Sequence, residues 1–336
     1  MTATLQNRLF RLAKRPVGEA KRDDFAFAVE PVSALTEGQL LVKTLYLSLD
    51  PAMRGWMNDA RSYIAPVGLG DVMRAGGVGS VIESKHPKFQ VGDTVSGMLN
   101  VQEYAVSDGK GMVKIDPTRA PLTSYLNVLG MPGMTAYFGL LESGLPKAGE
   151  TLVVSGATGA VGATVGQVAK ILGLRAVGIA GGQEKCDYAI NELGFDACID
   201  YKNQDVRKGL KEACPGGIDI YFDNVGGEIL DIVLARINLK ARIIICGAIS
   251  QYNNTEPVKG PSNYLSLLAN RARMEGIVVF DYAPRFKEGA MQLGKWMAEG
   301  KLKSREHVVE GLETFPEALM KLFRGENFGK LVLKVA

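Results

Sequence analysis

The sequence predicts an α/β protein of two domains, one rich in β-strands and one built on a doubly wound parallel sheet. The chain has 336 residues, more than one small core can hold. Glycine-punctuated apolar runs fill its first third, whereas short apolar runs alternate with amphipathic stretches from Thr151 onward. A glycine-rich turn also joins the first of these later runs to a helical pattern, as at the opening of a βαβ unit. We therefore expect one domain at 1–128 with 301–336 and a second at 129–300.

The first third has the pattern of a twisted β-sheet. Apolar runs at Gln39–Ser48, Val78–Glu83 and Thr94–Met98 predict strands. Glycine recurs every few residues through Gly55–Gly111, which is typical of bulges in a partly closed barrel. This part of the chain is therefore predicted to be mainly β.

From Thr151 the pattern is that of strands linked by helices. The predicted strands are Thr151–Ser155, Arg175–Ala180, Ala197–Asp200, Ile218–Phe222, Arg242–Cys246 and Gly276–Phe280. The predicted helices are Gly159–Leu172, Glu184–Leu193, Gln204–Cys214, Glu228–Ile237, Ser262–Arg271 and Phe286–Glu299. A last helix, Pro316–Phe323, and a last strand, Gly329–Val335, are expected to return to the first domain. Six buried strands connected by helices predict a parallel, doubly wound sheet.

Composition and charge exclude several classes of protein. The formal net charge is +3 and the basic residues are scattered, which argues against a nucleic-acid partner. No run approaches the roughly 18 apolar residues of a membrane span, and Met1–Arg15 lacks the apolar core of a signal peptide. The cysteines are widely spaced without a C-x-x-C pair, which favours reduced thiols in the cytoplasm: Cys186, Cys198, Cys214 and Cys246.

The motif that carries most weight is a glycine turn after the first strand of the sheet. Thr151–Ser155 runs directly into Gly156-Ala-Thr-Gly159-Ala-Val-Gly162, and a helical pattern follows. Glycines at Gly159 and Gly162 would let the backbone approach a pyrophosphate, which the free N–H groups of the helix N-terminus would bind. The alternative is a packing turn without a ligand, and the surrounding βαβ pattern favours the dinucleotide site.

The next two strand ends indicate which dinucleotide binds. Sites for NAD usually carry an acidic residue at the end of the second strand, where it meets the ribose 2′-OH. Here that strand ends in Gly181-Gly182-Gln183-Glu184-Lys185, and Tyr201 follows the third strand. A lysine and a phenol suit a 2′-phosphate, so the sequence favours NADPH. Glu184 could still reach a 2′-OH, and Lys185 alone could be a solvated surface lysine.

Catalytic zinc has few candidate ligands in this sequence. The two histidines, His86 and His307, have no nearby cysteine, so both are predicted to be surface residues and no metal is expected. No tyrosine has a lysine four residues later, the other common arrangement for reducing a carbonyl. Without a strong acid, addition of hydride to a double bond conjugated to a carbonyl is the easier reaction, because the carbonyl oxygen takes up the charge.

Tyr252 is the predicted donor to that oxygen. It follows the fifth strand, and ligands of such sheets bind outside the carboxyl ends of the strands. The alternative is a tyrosine on an exposed turn, since Tyr252-Asn-Asn-Thr has the composition of a loop.

Six motifs resemble a known family across nearly the whole chain. They are Leu47-Ser-Leu-Asp-Pro-Ala-Met-Arg54, Leu129-Gly-Met-Pro-Gly-Met-Thr-Ala-Tyr137, Gly156-Ala-Thr-Gly-Ala-Val-Gly162, Asn224-Val-Gly-Gly227, Cys246-Gly-Ala-Ile-Ser-Gln-Tyr-Asn253 and Gly325-Glu-Asn-Phe-Gly-Lys330. Together they resemble the zinc-free medium-chain dehydrogenases/reductases, and more closely the prostaglandin and alkenal double-bond reductases. The resemblance implies a GroES-like catalytic domain, a Rossmann domain, a homodimer, and reduction of enals and enones with NADPH.

The resemblance also implies roles for individual residues. The implied cofactor-binding residues are Gly159, Ala160, Val161, Gly162, Lys185, Tyr201, Asn224, Cys246, Gly247, Ala248, Ile249, Ser250, Tyr252, Ile277, Val278, Val279 and Asn327. The implied substrate pocket contains Ala52, Tyr63 and Met131. The family often has tyrosine where this chain has Ala52, so the choice of substrate is open at this position.

Two further functions remain as alternatives. A zinc-free NADPH quinone oxidoreductase would share the glycine turn, and one-electron products would distinguish it. A non-catalytic NADPH-binding sensor or RNA-binding protein would bind the cofactor without turnover.

Overall fold

The structure is a computed structural model that describes residues 5–336. The segment Met1–Arg15 was predicted not to be a signal peptide, and its first four residues lie outside the described residues. Across residues 5–336, each helix is too short or too polar to cross a membrane.

Strands predominate in the first part of the described chain, whereas strands and helices alternate from Thr151 onward. Within residues 5–336 the strands are β1 (Gln6–Leu12), β2 (Phe25–Pro31), β3 (Leu40–Ser48), β4 (Gly76–Ser84), β5 (Thr94–Met98), β6 (Tyr104–Ser107), β7 (Val113–Lys114), β8 (Thr151–Ser155), β9 (Arg175–Ala180), β10 (Ala197–Asp200), β11 (Ile218–Asp223), β12 (Ile237–Ile245), β13 (Arg273–Gly276), β14 (Glu306–Glu310) and β15 (Lys330–Lys334). The α-helices are α1 (Ala52–Trp56), α2 (Met131–Phe138), α3 (Ala160–Ile171), α4 (Gln183–Asn191), α5 (Val206–Ala213), α6 (Gly227–Leu234), α7 (Leu265–Ala269), α8 (Phe286–Ala298) and α9 (Phe315–Arg324).

The chain divides into two compact units. The first runs up to Leu126 and resumes over Glu306–Ala336, and the second is Asn127–Arg305. The first unit is β-rich, whereas the second alternates strands with helices, which confirms the predicted fold class.

The first unit is a sheet in the order β14-β15-β3-β4-β5-β7, with β6 also paired to β3 and a separate hairpin of β1 and β2. β15 joins this sheet because it pairs antiparallel with β3, where Leu333 lies opposite Leu47. α9 buries Phe315 in the same core, with its ring centroid 5.4 Å from that of Phe10 and 5.1 Å from that of Phe25. The last segment of the chain is therefore part of this unit's core.

The second unit is a six-stranded parallel sheet in the order β10-β9-β8-β11-β12-β13. The chain leaves β8 in one direction through β9 and β10, then returns to β11 and continues outward on the other side. The order thus reverses between β8 and β11, and this switch point is where sheets of this kind bind ligands.

Strand β8 explains why helices cover both faces of this sheet. Leu152 and Val154 pack into one hydrophobic core, whereas Val153 between them packs into the other. Successive side chains of a strand point to opposite faces, so a continuous apolar run must bury both faces.

The structure differs from the sequence prediction at several elements. The predicted sixth strand, Gly276–Phe280, is wrong, because β13 is Arg273–Gly276 and a 3₁₀ helix follows over Val279–Arg285. β13 is also largely exposed rather than buried, since it is the outer strand of the sheet. The hairpin of β1 and β2, helix α2 and strand β14 were not predicted. The local sequence pattern of these elements is weak.

Candidate functional site

The carboxyl ends of the parallel strands bring most of the predicted cofactor residues to one edge of the second unit. The glycine turn follows β8, Lys185 follows β9 and Tyr201 follows β10. Asn224 follows β11, Cys246–Tyr252 follows β12, and Ile277–Val279 follows β13. Because all six strands are parallel, these segments share one edge of the sheet.

The glycine turn ends at the N-terminus of α3. Gly159 is the N-cap of this helix, and its carbonyl accepts the first helical bond from Ala163 N–H at 2.9 Å. The N–H groups of Ala160, Val161 and Gly162 precede that bond and are those that a helix N-terminus presents to an anion. A Cβ at Gly162 would lie 2.2 Å from the carbonyl oxygen of Gly156. Only glycine therefore permits this compact turn.

The buried carboxylate of Asp200 forms hydrogen bonds with two turns, the one before α4 and the one after β10. Asp200 Oδ1 accepts the N–H of Gly182 at 2.7 Å and the N–H of Lys202 at 3.0 Å. Its Oδ2 accepts from Asn203 Nδ2 at 2.6 Å. Burial alone would raise the pKa of Asp200, but these donors outweigh it and hold the pKa below its ordinary value. The turn that begins α4 and the turn after β10 are thus held as one structure.

Tyr201 and Lys185 lie on these two joined turns. Tyr201 N–H donates to Ala180 carbonyl oxygen at 3.0 Å, and a Cβ on Gly181 would lie 2.8 Å from the Tyr201 hydroxyl. The phenol ring therefore lies directly against the turn that leads to Lys185. Burial lowers the pKa of the half-buried Lys185, and the positive charge of Lys202 lowers it further, whereas Glu184 opposes the shift. The turns that carry the predicted pair are thus joined, and the charge of Lys202 acts on Lys185 from the second of these turns.

A cavity of about 300 Å³ opens beside Tyr201. Its walls come from the turn before α5, from the start of α5 and from α6, including Gln204, Arg207, Glu228 and Ile229. The site next to Tyr201 thus offers both charged and apolar surface.

A second buried carboxylate, Asp223, shapes the turn after β11. Its Oδ1 accepts from the hydroxyls of Ser155 and Tyr221 at 3.0 and 2.8 Å. The same oxygen accepts the N–H groups of Val225 and Gly226 at 3.0 and 2.9 Å. Burial raises the pKa of Asp223 in spite of these donors. Asp223 thereby fixes the turn that carries Asn224.

Asn224 is held at the switch point between β8 and β11. Its side-chain Nδ2 donates to Ser155 carbonyl oxygen at 2.8 Å, and its N–H donates to Ser155 Oγ at 2.9 Å. Sequence analysis proposed Asn224 only through the family resemblance, and the structure places it beside the glycine turn that follows Ser155.

The loop Cys246–Tyr252 is joined to this turn by backbone hydrogen bonds. Asp223 carbonyl oxygen accepts from the N–H groups of Cys246 and Gly247 at 2.9 and 3.1 Å. Asn224 carbonyl oxygen accepts from Ile249 N–H at 3.2 Å. The predicted residues of this loop, which include Ala248 and Ser250, therefore lie next to Asn224.

Tyr252 closes this loop on itself. Ala248 N–H donates to the Tyr252 hydroxyl at 3.1 Å, and a Cβ on Gly247 would lie 2.9 Å from the same oxygen. The ring is half-buried after the 3₁₀ turn Ile249–Gln251. The hydroxyl therefore lies against its own loop, and the role of Tyr252 as a donor to the substrate stays a prediction.

Ile277–Val279 lies beyond the end of its strand rather than within one. Ile277 N–H still donates to Ile245 carbonyl oxygen at 3.1 Å, so the segment keeps its place beside β12. Val279 is buried, whereas Ile277 and Val278 are half-buried.

The remaining predicted residues occupy separate positions. Ala52 is the first residue of α1, and Tyr63 is 55% exposed on a bend that follows this helix. Asn327 Nδ2 donates to Gly329 carbonyl oxygen at 2.9 Å in the same unit. Met131, in the second unit, is the first residue of α2 and is 42% exposed. Their membership of the site stays a prediction.

The two histidines are half-buried. His86 Nδ1 accepts Lys88 N–H at 3.0 Å, and its ring lies 5.0 Å from that of Phe89. His307 lies on β14, where its Nδ1 accepts Phe328 N–H at 3.4 Å. Across residues 5–336, no three His, Cys, Asp or Glu residues group as ligands for a metal ion.

Sequence analysis missed Asp200, Lys202 and Asp223. Each carboxylate ends a strand and serves backbone N–H groups of its own and neighbouring turns, which no spacing in the sequence reveals. The only available signal was their place at the carboxyl ends of β10 and β11.

Comparison with known proteins identifies the family. A model described as the N-terminal domain of oxidoreductase matches residues 8–115, and one described as zinc-binding dehydrogenase matches 160–296. NADPH-dependent curcumin reductase of Escherichia coli (strain K12) is 48% identical over 337 residues, which cover 98% of this chain and 97% of that protein. The NADP(+)-dependent 2-alkenal reductase of Nicotiana tabacum is 46% identical over 300 residues, 88% of this chain and 87% of that protein.

A solved structure agrees with these relatives. The crystal structure of CurA in complex with NADPH from Vibrio vulnificus matches with a TM-score of 0.94 at 46% identity, covering 98% of this chain and 99% of that chain. These findings confirm the resemblance that the six motifs indicated. The chain belongs to the zinc-free medium-chain dehydrogenases/reductases, in their branch of double-bond reductases.

Proposed function

We propose that the protein is an NADPH-dependent reductase of the carbon–carbon double bond in α,β-unsaturated ketones and aldehydes. The observation that carries the proposal is the continuous row of turns along one sheet edge, with a phosphate cradle, a cationic turn and the Tyr252 loop. The relatives named as curcumin reductase and 2-alkenal reductase support the substrate class. CurA, whose structure contains NADPH, supports the cofactor.

In the proposed complex, each turn binds a different part of NADPH. The N–H groups of Gly159–Gly162 bind the pyrophosphate, and Lys185 and Tyr201 bind the 2′-phosphate. Asn224 and the loop Cys246–Tyr252 line the nicotinamide end, together with Ile277–Val279 and Asn327. NADPH, when bound, supplies a hydride, so the protein must orient the substrate and stabilise the charge that develops on it.

Tyr252 is the proposed donor to the substrate carbonyl oxygen. A hydride adds to the β-carbon of the substrate, and negative charge then collects on the carbonyl oxygen of the resulting enolate. A proton from water adds afterwards at the α-carbon, which restores the carbonyl. A phenol can accept one hydrogen bond and donate another, so the bond from Ala248 N–H is compatible with this role. A donor held before the reaction needs no reorganisation as the charge develops.

Turnover with matched substrates tests the proposed function. The purified protein should consume NADPH with an enone or enal, and mass spectrometry should find a product that has gained two hydrogens and kept its carbonyl. The corresponding saturated ketone should not react. Reduction of quinones without reduction of enones would favour the quinone reductase instead, and NADPH binding without any turnover would favour the sensor.

Ala52, Tyr63 and Met131 are proposed to contact the substrate. Since the family often has tyrosine at the position of Ala52, we expect Ala52→Tyr to reduce turnover of bulky aromatic enones more than that of short enals. An equal effect on both would remove Ala52 from the choice of substrate.

We further propose a homodimer formed through β13, in the cytoplasm. β13 is an outer strand whose free edge has no strand beside it within residues 5–336, and Leu265 and Leu268 of α7 are 59% and 77% exposed nearby in the chain. An antiparallel pair centred on Met274 would set Arg273 opposite Glu275 of the partner subunit, so charge favours this pairing. The cysteines of the chain are thiols, which fits a reducing compartment.

Sedimentation equilibrium checks the dimer. Met274→Lys would place two cations against each other at the two-fold axis, so we expect the dimer to dissociate. Met291→Lys, on the exposed side of α8, is the matched control and should leave the mass unchanged. A monomeric wild type, or a dimer that survives Met274→Lys, would contradict the proposed interface.

A further inference from the structure

A second lysine lies on the pair of turns proposed to bind the 2′-phosphate. Lys202 directly follows Tyr201, and its backbone N–H donates to Asp200 Oδ1 at 3.0 Å. The same oxygen accepts Gly182 N–H at 2.7 Å, and Gly182 is the N-cap of α4, the helix that carries Lys185. One buried oxygen therefore sets the spacing between the Lys202 turn and the Lys185 helix.

The charges of the two lysines interact across this spacing. The positive charge of Lys202 lowers the pKa of Lys185, in addition to the larger effect of burial, and only Glu184 opposes this. The carboxylate of Asp200 is occupied by N–H donors from Gly182, Lys202 and Asn203. The charge of Lys202 also interacts with the Asp200 carboxylate and helps to lower its pKa, after the larger effects of burial and of the hydrogen-bond donors. Two cations thus lie near each other, and a bound anion would relieve their repulsion.

The charge of a phosphate monoester fits two cations better than one. Such a group carries about −1.5 to −2 charges at neutral pH, so a single lysine neutralises only part of it. A ribose 2′-hydroxyl carries no charge and gains little from a second lysine. A second cation at this place would therefore act on NADPH and leave NADH almost unaffected.

We propose that Lys202 is the second cation of the 2′-phosphate site and a determinant of the preference for NADPH over NADH. The proposal rests on the proposed function, since it assumes that the joined turns bind the 2′-phosphate. Lys185 and Tyr201 touch the phosphate from one turn each, and Lys202 supplies the charge that completes the neutralisation. Asp200 acts through the backbone, by holding Lys202 at the right distance from Lys185.

Direct binding tests the proposal without turnover. Lys202→Met removes the charge and keeps a long apolar side chain, while Lys208→Met changes another exposed lysine, on α5. Calorimetry would measure binding of 2′,5′-ADP, 5′-AMP, NADPH and NADH to each protein. Because Lys202 is exposed, we expect Lys202→Met to weaken the binding of 2′,5′-ADP and of NADPH by roughly 3- to 10-fold. It should leave 5′-AMP and NADH unchanged, and Lys208→Met should change none of the four.

Two further measurements separate charge from a loss of structure. Lys202→Arg should retain the affinity for 2′,5′-ADP, and Lys202→Met should make that affinity less sensitive to added salt. Removal of a neighbouring positive charge should also move the alkaline loss of 2′,5′-ADP affinity to higher pH, because the pKa of Lys185 rises.

The outcomes distinguish this inference from the proposed function. If the wild type prefers 2′,5′-ADP and Lys202→Met binds it equally well, Lys202 is not part of the site, whereas the proposed function stands. Equal weakening of all four ligands would also overturn the inference. If the wild type does not distinguish 2′,5′-ADP from 5′-AMP, the proposed preference for NADPH itself fails.

Discussion

At the scale of single residues, the surroundings of Lys185 and Tyr252 decide what each side chain can do. Burial and the charge of Lys202 lower the pKa of Lys185, so its cation is more costly to hold than that of a solvated lysine. A bound phosphate would stabilise the charged form of Lys185. Tyr252 differs, because its hydroxyl is oriented by the N–H of Ala248 in its own loop. The first residue is suited to bind an anion, and the second is suited to present a hydroxyl in a defined direction.

Lys185→Ala should weaken NADPH binding and leave NADH nearly unchanged. A hydrogen bond to a charged group accounts for a loss of roughly 10- to 100-fold in affinity. Because the pKa of Lys185 is lowered, wild-type affinity for NADPH should fall as the pH rises through that lowered value, and the variant should lack this dependence. Fluorescence titration from neutral to alkaline pH measures both effects. Lys211→Ala serves as the control, and equal losses for both cofactors would refute the assignment.

Tyr252→Phe should lower the turnover of an enone by about 10- to 100-fold. Removal of one donor to an oxyanion typically lowers kcat by about 100- to 1000-fold, so the expected loss is at the low end of that range or below it. NADPH binding should stay near the wild-type value, and loss of the bond from Ala248 should cost about 1 kcal/mol of stability. Steady-state kinetics, cofactor titration and thermal unfolding check these values.

Tyr125→Phe is the matched control for this variant. The Tyr125 hydroxyl donates to Asp116 carbonyl oxygen at 2.7 Å, so Tyr125→Phe also removes a hydrogen bond between a phenol and the backbone. Full turnover in Tyr252→Phe would remove this tyrosine from the mechanism. A loss of NADPH binding would make it a cofactor ligand only.

At the scale of secondary structure, the turns that follow the strands carry the site, and two buried carboxylates hold those turns. Asp200 joins the start of α4 to the turn after β10, and Asp223 closes the turn after β11. Short turns have few packing contacts of their own, so such bonds supply their rigidity. These turns are thus held by side chains whose own hydrogen bonds are to the protein.

Asp200→Ala should destabilise the second unit and reduce NADPH affinity more than NADH affinity, and Asp200→Asn should lie between it and the wild type. The pKa of Asp200 is lowered in the folded state, so its stabilisation is complete above the unfolded value of about 4 and is lost as the pH falls through the folded value. Urea unfolding between neutral and acidic pH should show a weaker acid dependence in Asp200→Asn.

Asp196→Ala is the control for this prediction. Asp196 Oδ2 accepts Ala176 N–H at 2.7 Å just before β10, at the opposite edge of the sheet. Asp196→Ala should reduce the stability of the protein without changing the ratio of NADPH affinity to NADH affinity. A change in that ratio for both variants would show that general destabilisation, rather than the joined turns, sets it.

At the scale of the whole molecule, the β-rich unit is formed by two segments of the sequence, and the segment that forms the doubly wound unit, Asn127–Arg305, lies between them in sequence. β15 and α9 belong to the first unit because they pair with β3 and pack on Phe10. The second unit alone holds the glycine turn, the joined turns and the Tyr252 loop.

Activity should survive strong chelation. The chain has two histidines, and its cysteines are too far apart in sequence for a paired ligand motif. Enone reduction after dialysis against a chelator should therefore match that of untreated protein, and elemental analysis should find substoichiometric zinc. Stoichiometric zinc in active protein, with activity lost on its removal, would contradict the expectation.

Much of the second unit could be predicted from the sequence, because its signals are local. The runs Thr151–Ser155, Arg175–Ala180 and Ala197–Asp200 form strands with the predicted bounds. Burial on both faces makes such strands continuous apolar runs, and helical spacing marks what lies between them. β13 was misplaced because an outer strand needs no such run, and the apolar residues after it enter a 3₁₀ turn instead.

The sequence by itself determined the alternation of strands and helices, the glycine turn, and the order in which chemical groups follow the strands. These depend on spacing within a few residues, where backbone geometry and side-chain periodicity act directly. Only the tertiary structure decided that β8 and β11 are neighbours, that Asp200 joins two turns, and that Lys202 lies near Lys185. Those relations depend on strand order and on hydrogen bonds between separate turns, which form only once the sheet has assembled.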